Sequence, residues 1–339
     1  MGRMSKEFIM PRCAPRAIIS LALLLGVSAS VEAGYVDIAN QVSVSSYQNY
    51  LDNFLYTHTG DNRGLTGSQH DLAQANIASL FTSFGLSVTL SPFQYNAKTY
   101  YNVVATKLGS VRPNDIYIIG AHYDSYANPG ADDNASGVAG VLEAARVLAD
   151  ETLEATVTFI AFDREEQGLI GSGAYAYAHS SDNILGMVSL DMIAYHPAAS
   201  PNYANVRWTY SNTAITQDLS DALLTYSGIN STISSIPAVS DHASFAYFGK
   251  NACLLTEYGS NPYYHTGSDS VDSTNYINYT YGAAMTRGVV GYLAENTLAV
   301  PEPSTALLVL VGVTGFVWRS RRRGRRTEAR CPMPNAGYG

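Results

Sequence analysis

Five short stretches of this sequence carry residue types that do metal and proton chemistry, and their placement is regular. The run IYIIGA at 116–121 ends in His122, Tyr123 and Asp124. A neutral imidazole at a strand end is a common zinc ligand. On an extended backbone Asp124 faces the same side as His122, where its carboxylate is expected to accept the second ring N–H and set the tautomer. The stretch PGADDNASG at 129–137 holds Asp132 and Asp133 in a glycine-flanked turn that presents carboxylate without helical constraint, and Asn134 or Ser136 is suited to cap the helix that follows. The run TVTFIAF at 156–162 leads into Asp163, Arg164, Glu165 and Glu166. Adjacent glutamates divide labour: one coordinates, the other takes a proton from an activated water. Asp191 lies within the apolar run of Val188, Leu190, Met192 and Ile193. Burying a carboxylate there demands a strong partner, a metal or a basic side chain. Finally, NPYYHTGSD at 261–269 places His265 in a loop after the apolar strand at 252–256. Each stretch alone also reads plainly as a surface pair, a capping turn, an acidic turn, a buried ion pair or a loop histidine. Together they offer two His, two Asp and a Glu, enough for two zinc ions.

The elements that must position these groups alternate. Strands are expected at 102–108, 116–121, 156–162, 187–192 and 252–256, several of them continuous apolar runs of the kind covered on both faces. Helical spacing appears at 68–84, 136–149, 172–178, 214–226 and 274–295. Alternation of this kind implies a three-layer αβα sandwich around a central mixed, mostly parallel sheet. In such sheets ligands gather at the carboxyl ends of the strands, where most of the candidate residues fall.

Composition narrows the function classes. The first 33 residues and residues 304–339 together hold 11 basic and 3 acidic residues, which leaves 9 basic and 25 acidic residues in 34–303, a net −16. That body repels phosphate backbones, which argues against nucleic-acid binding, and it suits cations or a substrate ammonium. Of the three cysteines, Cys13 and Cys331 lie in segments expected to be trimmed, so Cys253 stands without an intrachain partner.

The ends read as addresses. Residues 1–33 combine a basic start, an apolar run and small residues before Ala33, the layout of a secretory signal peptide cut by signal peptidase. Residues 300–326 contain Pro301-Glu302-Pro303, an apolar run at 305–318 and six arginines between Arg319 and Arg326. This layout resembles a PEP-CTERM sorting signal, which implies removal by a membrane transpeptidase in a Gram-negative-type bacterium, with membrane contact through the C-terminal segment alone. A retained transmembrane anchor is the alternative, though the run is short for one. Residues 327–339 extend past the point where such signals stop. The expected organisation is therefore signal peptide 1–33, one body 34–299, a sorting or anchoring segment 300–326 and a tail of no assigned role, in an exported, extracellular or cell-surface protein.

The motifs GAHYDS, PGADDNASG, AFDREEQGLIGS, SLDMIAY, SDHASF and YYHTGSD, in this order over about residues 60–297, resemble the two-zinc aminopeptidase family that includes bacterial secreted leucyl-type enzymes. The resemblance implies that Asp132 bridges both metals, that His122 and Asp191 complete one site, and that Glu166 and His265 complete the other. It further implies Glu165 as general base, Asp124 as the residue orienting His122, Tyr264 as a donor to the developing oxyanion, and Asp241 and His242 as shapers of the substrate cleft. The tyrosine that some relatives carry before SDH is absent from 235–239. The implied substrate is a peptide with a free N-terminus. Carboxypeptidase or dipeptidase action on the same scaffold needs a cation for the substrate carboxylate, with Arg164, Arg207 and Lys250 near the motifs. A one-zinc glutaminyl cyclase and a non-catalytic surface-binding protein are further alternatives, the last opposed by the intact Glu165.

Overall fold

The computed structural model describes residues 34–55, 62–64, 69–210 and 213–298. The expected signal peptide, the sorting segment and the tail lie outside the described residues. Helix α1 (Val44–Asn49) is capped by the Ser43 hydroxyl, which accepts from the Ser46 amide, and it continues as a wider turn to Leu55. Then come α2 (Gln69–Ser83), β1 (Ser87–Tyr95), β2 (Lys98–Lys107), β3 (Arg112–His122) and α3 (Gly137–Ala149). The second half runs β4 (Ala155–Phe162), α4 (Ile170–Ala178), β5 (Ile184–Leu190), β6 (Tyr203–Trp208), α5 (Ala214–Ser227), β7 (Asn230–Ser235), α6 (His242–Tyr247), β8 (Ala252–Glu257) and α7 (Tyr279–Thr297).

The eight strands form one mixed sheet in the order β1-β2-β4-β3-β5-β8-β6-β7. The inner strands β4, β3, β5 and β8 run parallel, while β1, β2 and β6 join antiparallel to their inner neighbours. Every residue of β4 is buried, as its uninterrupted apolar run requires when helices cover both faces. On one face Phe162 packs against Tyr175 of α4 and Phe245 of α6. On the other, Phe159 meets Phe81 of α2. Gly120 is dictated by this packing, since a Cβ there would lie 2.4 Å from the Phe162 ring.

Three strands and two short helices, α1 and α6, were not expected from the pattern. β1 carries Pro92 and exposed alternate positions, and β7 (NSTISS) is polar; both are sheet edges, where a strand needs only one partner. β6 is short and recognisable only through its pairing with β8. α6 has six residues, too few for a period to register. The last helix starts at Tyr279 rather than near 274, because the Asn278 side chain accepts from the Tyr281 amide and caps it there.

The chain passes from β3 to β4 on one side and then to β5 on the other. This reversal opens a crevice at the carboxyl ends of β3, β4 and β5, where α/β sheets collect ligands.

Candidate metal centre

His122 is the last residue of β3, Glu165 and Glu166 follow β4, Asp191 follows β5, and His265 follows β8. Around the crevice Nε2 of His122 lies 3.3 Å from Oδ1 of Asp133 and 3.6 Å from Oδ1 of Asp191. Nε2 of His265 lies 3.2 Å from Oδ2 of Asp133 and 3.2 Å from Oε2 of Glu166. One carboxylate, that of Asp133, thus spans two half-sites: His122 with Asp191, and His265 with Glu166.

The residue in the bridging position is a correction to the expectation. Asp132 is fully buried and turned away: Oδ1 accepts from the Ala194 amide at 2.8 Å and Oδ2 from the Asn261 amide group at 3.0 Å. Consecutive residues of this turn point in different directions, and the turn itself is held from below. Asp269 accepts from the amides of Asp132 (2.7 Å) and Asp133 (3.2 Å), and its own position is set by the Tyr276 hydroxyl. Asn134 donates to the Leu190 carbonyl and its Oδ1 accepts from Gly137 and Met192, while the Ser136 hydroxyl accepts from Ile193. The turn carrying Asp133 is therefore tied to the strand end carrying Asp191. Gly130 opens it at φ +63°, and a side chain there would meet the Asp133 carbonyl at 2.5 Å. Arg63, buried, donates to the carbonyls of Tyr123, Pro129 and Gly130 and holds the loop between β3 and the turn. No spacing in the sequence announces Arg63 or Asp269.

Asp124 sits beside His122 as expected and also makes contacts that the expectation did not include. Nδ1 of His122 donates to the Asp124 backbone carbonyl at 3.1 Å, with the carboxylate 3.6 Å away. That carboxylate also accepts from the amides of Glu165 (3.1 Å) and Glu166 (3.3 Å), fixing the glutamate turn against β3. The Asp124 carbonyl and carboxylate both face the imidazole, and the carboxylate also holds the two glutamates.

Burial, and then the neighbouring acids, hold the Glu165 carboxyl well above the usual range despite the favourable charge of His122. Burial and Asp133 push Glu166 up to about 8. Asp133 behaves oppositely: burial raises it, but hydrogen bonds from His122 and His265 bring it down to about 2. A cation fits this donor set. Four carboxylates (Asp133, Glu165, Glu166 and Asp191) meet two imidazoles, and the buried Oε1 of Glu166 has no hydrogen-bond partner. Oxygen and nitrogen ligands about 2.0–2.1 Å from a tetrahedral zinc lie roughly 3.3 Å apart, close to the 3.2–3.6 Å separations here.

The centre opens into a cavity of about 420 Å³ lined by these acids and by Met192, Arg207, Ile236, Val239 and Leu254, with Tyr264 at the wall. Tyr264 stacks on His265 with centroids 3.8 Å apart, and Tyr126, which the sequence did not single out, stacks on it at 4.2 Å. Burial and the nearby acids push the Tyr264 hydroxyl up, so it stays a donor. Asp241 and His242 do not line the cavity, contrary to expectation. His242 is fully buried on α6, with Nε2 2.9 Å from the Thr209 hydroxyl. Asp241 is buried behind the centre, where burial raises its carboxyl to about 7. Ser240 is the part of that motif that reaches the wall.

The chain is similar to several known proteins. The chain is 28% identical to leucine aminopeptidase 1 of Paracoccidioides brasiliensis, over 85% of this chain and 80% of that one. It is 40% identical to a probable zinc metalloprotease of Pyrenophora teres, over 35% of this chain but only 28% of that longer protein. Among solved structures it is similar to an aminopeptidase from Aneurinibacillus (TM-score 0.67, 20% identity, 77% of this chain and 95% of that one). The LapA aminopeptidase of Legionella pneumophila is similar at TM-score 0.67 and 22% identity, over 78% of this chain and 72% of that one. At these identities the structural likeness is one of fold. Residues 299–323 match the PEP-CTERM protein-sorting motif, which indicates export and association with the cell envelope. No helix among the described residues is long and apolar enough to cross a membrane. Residues 102–290, more than half of the chain and nearly all of the centre, match a single family profile, and the protein belongs to peptidase family M28.

Proposed function

We propose that this protein is an exported metallo-aminopeptidase that removes N-terminal residues from peptides with two zinc ions per chain. The observation that carries the reading is the Asp133 carboxylate set between His122 and His265, each imidazole completed by a further acid. His122, Asp133 and Asp191 would hold one ion; His265, Asp133 and Glu166 would hold the other. When bound, zinc supplies Lewis acidity that acidifies water and polarises a carbonyl. Glu165 reaches the same cluster, grouped with His122 and Glu166, and this assignment leaves it as the free carboxylate. In this reading it takes the proton of the attacking water and returns it to the leaving amine. Its environment raises its proton affinity, which suits a group that must hold that proton in between. Asp124 holds Glu165 in place through its amide. Tyr264, a protonated donor in the cavity wall, would stabilise the developing oxyanion. The acids of the cavity receive the substrate ammonium.

In the same proposal residues 1–33 are removed by signal peptidase and residues 300–326 direct sorting by a membrane transpeptidase. The deciding experiment is hydrolysis of aminoacyl-p-nitroanilides beside their N-acetylated forms, with and without chelator. Chelator-sensitive cleavage of the free-amine substrates alone is the expected result. Equal cleavage of the acetylated forms, or no cleavage by protein holding two zincs, refutes the assignment.

A further inference from the structure

Among the described residues, Arg207 is the one lysine or arginine lining the cavity, and the centre does not use it. Arg207 lies on β6, opposite Leu254 of β8, and Asn205 lies opposite Thr256. Cross-strand partners face the same side of a sheet, and all four residues line the cavity. Arg207 is half-buried, and its Nε is sealed from solvent with no hydrogen-bond acceptor. Its guanidinium makes no ion pair or hydrogen bond among the described residues. The other two cations near the motifs are occupied elsewhere. Arg164 pairs with Asp163 and stacks over Tyr100. Lys250 donates to the Asp182 carbonyl.

Five acids share the cavity with Arg207 (Asp133, Glu165, Glu166, Asp191 and Glu257), yet none is paired with it. Glu257 ends the neighbouring strand β8 opposite Ala204 and accepts from the Tyr195 amide; for the acids of the centre the separation follows from the strand order. Asp191 leaves β5, whereas Arg207 sits two strands away across β8, roughly 10 Å between strand axes at about 4.8 Å per strand. The long guanidinium stem shortens that gap. The cavity is therefore acidic at one end and basic at the other, with Met192, Ile236, Val239 and Leu254 supplying apolar wall. A planar guanidinium with free donors is matched by carboxylate, which it binds bidentately.

We propose that Arg207 binds a carboxylate of the substrate and makes this enzyme selective for anionic substrates. The ammonium is held at the acidic end and the carboxylate at Arg207. That carboxylate has two sources: the side chain of an N-terminal Glu or Asp, or the terminal carboxylate of a dipeptide. The proposal rests on the aminopeptidase reading and specifies its substrate class.

The test compares kcat/KM for glutamyl- and glutaminyl-p-nitroanilide, and for leucylglycine and leucylglycinamide, in the wild type and in Arg207→Gln and Arg207→Lys. Titration calorimetry with glutamate and glutamine supplies a readout independent of turnover. A Glu-over-Gln ratio that falls roughly 10- to 100-fold in Arg207→Gln, with partial recovery in Arg207→Lys, assigns the side-chain carboxylate. The same fall in the acid-over-amide ratio of the dipeptides assigns the terminal carboxylate. Cleavage of leucyl substrates with no carboxylate preference of either kind overturns the role of Arg207 and leaves the aminopeptidase reading standing. If no free-amine substrate is cleaved, that reading falls; calorimetry then still decides, because equal affinity for glutamate and glutamine overturns the carboxylate site as well.

Discussion

The neighbouring acids Asp132 and Asp133 make opposite predictions when each is replaced by alanine. Asp132 is wholly buried, and its carboxylate satisfies two donors, the Ala194 amide at 2.8 Å and the Asn261 amide group at 3.0 Å. Removing it strands both, and each buried unsatisfied donor costs about 1–3 kcal/mol. Asp132→Ala is therefore expected to lower unfolding stability by about 2–6 kcal/mol. Asp133 accepts no such scaffold hydrogen bonds; its two oxygens face His122 and His265 at 3.3 and 3.2 Å. Its removal takes a ligand from both half-sites. Even indirect supports of metal ligands are worth 10–100-fold in affinity, so at least about 100-fold weaker zinc binding is expected, with turnover lost in proportion. The assays are zinc content per folded chain and urea unfolding of chelator-treated protein. If Asp133→Ala retained two zincs and normal turnover while Asp132→Ala lost its zinc at unchanged stability, the bridging role would belong to Asp132 and this reading would be wrong.

Three further outcomes are expected. Glu165→Gln should reduce kcat by about 10²–10⁴-fold with zinc content unchanged, because Glu165 stands outside both half-sites; near-normal turnover with both metals bound would remove it as the proton carrier. Burial lowers the His242 imidazole to about 4, below its ordinary value of about 6.5. Its stabilising contribution is thus complete above pH 6.5 and is lost as pH falls from 6.5 towards 4, by about 3 kcal/mol in all. Unfolding free energies measured from pH 7 to pH 4 should show a steeper acid loss for the wild type than for His242→Gln, and parallel curves would contradict the assignment. Cys253 is fully buried in β8 and its thiol is raised by burial. Mass-spectrometric mapping should find it unmodified by thiol reagents in the native state and modified after unfolding.

Much of the fold was legible because buried parallel strands must be continuous apolar runs. The segments at 116–121, 156–162 and 252–256 have no other comfortable state, and the helices between them carry a clear period. The edge strands β1 and β7 were hidden because a strand that buries little needs no strong pattern. Four of the five residues expected as ligands come together in the structure for a related reason: a polar residue after an apolar strand must emerge at the carboxyl edge of the sheet. His122, Glu166, Asp191 and His265 follow that rule, and the structure gathers them.

The choice between Asp132 and Asp133 lay beyond the pattern. Both are acids in one irregular turn with no period to orient them. Their directions are set by Asp269, Asn134 and Ser136, whose partners lie more than 50 residues away in the chain. At Asp124 a two-residue spacing predicts a shared side, but not that the backbone carbonyl comes nearer the imidazole than the carboxylate. Arg207 is one of three cations near the motifs in the sequence. Only the pairing of β6 with β8 places it in the cavity, while Arg164 is drawn to Asp163 and Lys250 to a backbone carbonyl. Residue type and local period determined which chemistry this chain carries and which strand ends display it, because both are properties of a few consecutive residues. The direction of each carboxylate and the contents of the cavity were decided by tertiary structure, because hydrogen bonds between distant segments choose among local states that the sequence leaves nearly equal.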